Sequence, residues 1–116
     1  MNKDYLFEID KLVKLNKIKE AEFKISKLGH EYYKDTDYLY LRSKIFFSNK
    51  LYYMALDALL IATEFKEEDR IYQFIAKIYD TLGNHELSKK ISNSNLRLNV
   101  INSLKKELTG ITQEEE

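Results

Sequence analysis

The chain of 116 residues contains no cysteine and no proline, and only three glycines. Without cysteine it can form no disulfide, no thiolate metal site and no thiol nucleophile. That absence fits a reducing compartment. With no proline and little glycine the chain has few turn-makers, so few turns are expected. Net charge is also missing. The 19 Lys and Arg balance the 19 Asp and Glu, and no third of the chain departs from neutrality by more than two charges. Nucleic-acid binders normally carry a basic excess, so no nucleic-acid partner is expected.

Long apolar runs are absent as well. The run Leu51–Leu56 stops at Asp57, far short of the ~20 residues of a membrane span, so no membrane insertion is expected. Met1-Asn2-Lys3-Asp4-Tyr5 puts an acid where a signal peptide has its basic lead. The expectation is a cytoplasmic protein, and the length suits one domain. Catalytic machinery is equally sparse. The two histidines, His30 and His85, both sit next to turn signals. No His/Asp/Glu set has zinc-ligand spacing, and neither a phosphate-cradling glycine loop nor a Gly-x-Ser-x-Gly elbow occurs. The sequence therefore reads as a non-enzyme with no cofactor and no metal.

Helical periodicity fills the rest. Ile18, Ala21, Ile25, Leu28 and Tyr32 recur at steps of three and four, as do Ile71, Phe74, Ile75, Ile78 and Leu82. Strict alternation is missing, so strands are not expected. Polar breaks at Leu15-Asn16-Lys17, Lys34 to Asp37, Ser48-Asn49-Lys50, Lys66 to Asp69 and Gly83-Asn84 divide six helices at 3–15, 18–31, 37–48, 51–65, 69–82 and 85–108. Asp35 or Thr36 can cap the third helix, and Gly83 can end the fifth in the left-handed conformation.

The helices pair, and the pairs repeat. Ala21, Ala55 and Ser88 align at spacings of 34 and 33 residues. The same offsets superpose Leu12 on Phe46 and Tyr79, Ile9 on Ser43 and Ala76, and Ile25 on Leu59 and Ser92. Asn16, Asn49 and Asn84 mark the turn within each pair. A period near 34 with two helices per unit is the signature of a helical-hairpin solenoid. Small residues at 21, 43, 55, 76 and 88 would let paired helices approach, with the large residues at 12, 46 and 79 filling the space between them.

The segment from Ile75 to Ser88 carries a specific pattern. Ile75 and the small Ala76 precede the aromatic Tyr79, Gly83 stands at the turn, and the small Ser88 follows in the next helix. This resembles the tetratricopeptide repeat family over residues 2–102. The closing proline of that family is absent from all three repeats, and the polar stretch Ser92 to Asn95 departs from its pattern. The resemblance implies an all-α TPR-like solenoid of three helix pairs, a single domain over 1–111. Its repeats would fall at 2–35, 36–68 and 69–102, with a capping extension over 96–109 and an acidic, frayed tail at 112–116.

In that family the first helix of each repeat lines a concave groove for a partner peptide. The resemblance therefore implies groove positions at Leu6, Asp10, Val13 and Lys14 in the first repeat. The second contributes Asp37, Tyr40, Lys44, Phe47 and Ser48, and the third Arg70, Gln73, Lys77, Asp80 and Thr81. Leu6 and Asp10 stand where the carboxylate-gripping members have Lys and Asn, which disfavours that clamp. The implied partner is another protein, an amphipathic segment with some acidic residues. Phe46 is expected in the core and Phe47 in the groove. Leu96, Leu98, Val100, Ile101, Leu104 and Leu108 continue past the third repeat. They serve either as an end cap, which solenoids need, or as a homodimer element over 96–108. The resemblance implies a protein-interaction module. The alternatives are a small cytoplasmic chaperone for a secreted or assembly subunit, or a structural subunit joined through its C-terminal helix.

Overall fold

The computed structural model describes residues 1–109. They form seven α-helices and one 3₁₀ turn, with no strand among the described residues. These are α1 (Asp4–Lys14), α2 (Ile18–Ile25), the 3₁₀ turn (His30–Tyr32), α3 (Thr36–Ser48), α4 (Tyr52–Thr63), α5 (Asp69–Thr81), α6 (His85–Ser92) and α7 (Arg97–Thr109). The all-helical expectation holds. The Leu108 side chain, Gly110 and the acidic stretch 112–116 lie outside the described residues. The chain divides into two compact units, Met1–Ile71 and Tyr72–Glu116.

One turn is built three times. The N–H of Lys17 donates to the Leu12 carbonyl at 2.8 Å, that of Leu51 to Phe46 at 2.9 Å and that of Asn84 to Tyr79 at 2.8 Å. One residue earlier, Asn16, Lys50 and Gly83 have φ of 60°, 61° and 89°. They donate to the carbonyls of Val13, Phe47 and Asp80. A left-handed residue with this pair of bonds is the Schellman helix end. The next helix then opens alike, with Ala21, Ala55 and Ser88 donating to the carbonyls of Lys17, Leu51 and Asn84 at 3.1, 3.0 and 3.1 Å. The left-handed positions lie 34 and 33 residues apart, the spacings of the side-chain pattern. The asparagine alignment is displaced in two of the three turns. Asn49 precedes the left-handed residue and Asn84 follows it.

In the first unit α1 packs on α2, both pack on α3, and α3 packs on α4. The small residues Ala21, Ser43 and Ala55 are wholly buried, together with Leu56 and Leu59. Asp35 caps α3, its carboxylate accepting from the Tyr38 N–H at 3.0 Å. Helix α2 ends at Ile25, well before the expected residue 31. The Ser26 hydroxyl turns back to the Phe23 carbonyl at 2.7 Å, and Lys27 and Leu28 bond only three residues back. The 3₁₀ turn then buries Tyr32, whose hydroxyl donates to the Asn2 carbonyl at 2.8 Å. The early end of α2 leaves a cleft beside Phe46, lined also by Ser26, Leu28 and Leu51. Phe46 is therefore half-buried rather than a core residue, with the Arg42 guanidinium over its ring at 5.2 Å.

The second unit buries Tyr72, Ile75, Ala76, Ile78, Ile91 and Ile101. Asn84 caps α6, accepting from the Leu87 N–H at 3.2 Å. The expected single helix over 85–108 is two helices. Asn93 leaves the helical region, and its side chain accepts from the Asn95 N–H at 2.8 Å, a local bond that competes with helix continuation. Arg97 then seals the end of α6. Its Nε donates to the Ile91 carbonyl at 3.1 Å and its Nη2 to the Ser92 carbonyl at 3.2 Å. Its guanidinium lies 4.7 Å from the Tyr72 ring centre. Helix α7 packs back on α6 and buries Ile101 and Leu104, while Leu96 and Leu98 stay exposed.

Candidate functional site: a cleft in the first unit

A cleft of about 380 Å³ opens in the first unit between α1, α3 and Arg70. Seven of the fourteen groove residues expected from the sequence line it: Leu6, Asp10, Lys14, Asp37, Tyr40, Lys44 and Arg70. Helical spacing explains the convergence. Leu6, Asp10 and Lys14 are four apart on α1, and Tyr40 and Lys44 are four apart on α3, so each set shares a face. Leu6 and Leu41 are buried at the base, and Phe7, largely exposed, stands at the rim.

The seven other residues lie elsewhere. Val13 is half-buried and does not line the cleft. Phe47 is half-buried with its ring edge-on to Tyr52 at 5.4 Å. Ser48 is exposed, and Gln73, Lys77, Asp80 and Thr81 belong to the second unit, where all four are exposed. Sequence reasoning missed Lys3 and Phe7, which also line the cleft. Phe7 could have been found. It directly follows Leu6, and Lys11 one turn later covers its ring at 4.7 Å.

The basic set is not a bare positive patch. Asp10 bridges Lys14 at 2.9 Å and Lys44 at 3.3 Å. Asp37 pairs with Lys3 at 2.6 Å and with Arg70, which also meets Glu68 at 3.1 Å. Lys3 reaches Asp35 as well, at 2.6 Å. Tyr40 lies between two cations, with Lys44 Nζ 4.8 Å and Arg70 Cζ 4.6 Å from its ring centre. Such cation–π contacts contribute about 0.5–1 kcal/mol at exposed sites and more when dry.

The proton affinities follow this network. Burial pushes the Asp10 carboxyl up, but Lys14 and Lys44 outweigh it and hold the group below its ordinary value. Hydrogen bonds from Lys3 and then Arg70 hold Asp37 below its ordinary value against the opposing effect of burial. Burial alone would lower Lys3, yet Asp35 and Asp37 together raise it. The cleft thus holds fixed, alternating charges around an apolar base. Among the described residues no group of three or more His, Asp or Glu side chains is placed to hold a metal ion. His85 meets Asp80 at 2.5 Å on the surface of the second unit, and His30 lies edge-on to Tyr33. No helix among the described residues is long and apolar enough to cross a membrane.

No protein-family model matches the chain, and no curated protein or solved structure is significantly similar to it.

Proposed function

We propose that the chain is a TPR-like cytoplasmic interaction module, without catalytic activity, that holds a segment of another protein in the cleft of residues 1–71. The observation that carries this reading is the convergence of Leu6, Asp10, Lys14, Tyr40, Lys44 and Arg70 on one cleft. The thrice-built turn at spacings of 34 and 33 residues supports the repeat architecture on which the groove assignment rests. Ligand sites typically combine an apolar base with a few placed polar groups, and this cleft has both. The partner segment is amphipathic. An apolar side chain rests on Leu6, Phe7 and Tyr40, and an acidic one reaches Lys14, the most exposed of the basic groups. An incoming carboxylate competes with Asp10 for that ammonium, so acidic residues set register more than affinity.

A photo-crosslinking residue placed at Phe7 and, as a control, at the exposed Lys27 tests the reading. The Phe7 adducts formed in native lysate should map to one short segment of one protein, and Tyr40→Ala should abolish them. Adducts spread over abundant proteins at the yield of the Lys27 control would sink the proposal.

A further inference from the structure

Helix α4 is apolar nearly all round. Its twelve residues, Tyr52 to Thr63, include a single charge, Asp57. A helix of that composition is normally covered on every side. Here only part of it is. Ala55, Leu56, Leu59 and Ala62 are wholly buried, whereas Tyr53, Met54 and Ile61 are 67%, 49% and 41% exposed. Tyr53, Asp57 and Ile61 follow at i, i+4 and i+8, one stripe along the outer face. Helix α3 adds Arg42 and Phe46 to the same shallow cleft of about 290 Å³. None of these residues lines the cleft assigned to the partner segment, so a role for this face is independent of that assignment.

The charges on this face identify what covers it. Arg42 and Asp57 are the two charged residues lining the cleft, and they are of opposite sign. They are not paired with each other. Among the described residues Arg42 reaches only the Tyr38 hydroxyl, at 3.4 Å, and the Phe46 ring. Asp57 has no hydrogen bond or ion pair among the described residues. A face with an apolar centre and one unmatched charge of each sign is self-complementary. A two-fold axis through the midpoint between Arg42 and Asp57 carries each onto the position of the other. It forms two intermolecular Arg42–Asp57 pairs around a shared apolar centre. Isologous contacts require this kind of self-match.

We propose that the outer face of α3 and α4 is a homodimer interface. The apolar stripe of Tyr53, Met54 and Ile61 supplies its core, and reciprocal Arg42–Asp57 pairs fix its register.

Sedimentation velocity on the full chain between about 1 and 100 μM reads the outcome, a span suited to interfaces of moderate affinity. Wild type should dimerise within it. Arg42→Asp sets two like-charged carboxylate pairs against each other, and Asp57→Arg does the same with guanidinium groups. Each should weaken association at least about tenfold. An equimolar mixture of the two variants restores both pairs as a heterodimer, and it should associate more tightly than either variant alone. Ile61→Lys should yield a monomer. Both charged positions are exposed, and unchanged helical circular dichroism of each variant confirms that the fold is intact. A wild-type monomer throughout the range would overturn the proposal and leave the face to a different partner. So would a dimer indifferent to the three substitutions, or a mixture that fails to recover association.

Discussion

A single carboxylate illustrates how the cleft is held. Asp37 takes bonds from both Lys3 and Arg70, which hold its carboxyl below the ordinary value of 3.8. A depressed carboxyl contributes stability that is present above the unfolded value and is lost as pH falls through the folded one. Asp37→Asn should therefore lower the urea midpoint at neutral pH and flatten the fall in stability below about pH 4, so that the two curves draw together as pH falls. Curves that stay parallel as pH falls would mean that Asp37 is not coupled to its cationic neighbours. At this scale the sequence was legible in part. The groove positions of Asp10, Tyr40 and Lys44 were implied by the family resemblance, and helical spacing puts Tyr40 and Lys44 on one face. Their mutual neutralisation does not, because a pair such as Asp10 and Lys44 joins residues 34 apart. Phe46 was misplaced for a related reason. Its surroundings depend on where α2 stops, and a serine bonding back to a carbonyl leaves little trace in an apolar pattern.

The end of the first helix in each pair was legible in the sequence. The Schellman turns fall at the breaks that polar residues marked, since the left-handed residue must follow the last apolar position of each first helix. Which residue takes that conformation was less clear, because Lys50 occupies it in place of a glycine or asparagine. This makes a paired test. Nothing lies within 4 Å of a β-carbon built on Gly83, so Gly83→Ala costs only the left-handed conformation, about 1 kcal/mol. Lys50→Gly relieves the same strain and should stabilise the protein by about 0.5–1 kcal/mol. Thermal or urea unfolding measures both. Changes of the same sign in the two variants would defeat the account. The break between α6 and α7 was readable as the polar run Ser92 to Asn95, but its lock was not. Arg97 looks like a surface residue in the sequence, whereas its bonds to the end of α6 and its place over the Tyr72 ring accompany its burial.

On the scale of the whole molecule, α7 packs on α6 in the second unit and buries its own Ile101 and Leu104, as α6 buries Ile91. Truncation after Asn95 removes those two side chains and the Arg97 cap together. The shortened protein should lose more than about 3 kcal/mol, given about 2–5 kcal/mol for a single large-to-small aliphatic change in a core. An unchanged unfolding midpoint would show that α7 is dispensable to the fold. The repeat period gave the order of the helices, whereas the division at Ile71 has no counterpart in the residue pattern, which runs evenly through α5. The contact order within the first unit carries a further consequence, for biogenesis. Each of its helices rests on a near neighbour in sequence, and closely spaced contacts form quickly. The chain also has no prolyl bond whose isomerisation would take tens of seconds. Synthesis at roughly 5–20 residues per second leaves several seconds between Ile71 and Glu116. Helices α1 to α4 can therefore be packed while the ribosome is still adding α6 and α7, and the apolar side of α4 is on display before the polypeptide is released.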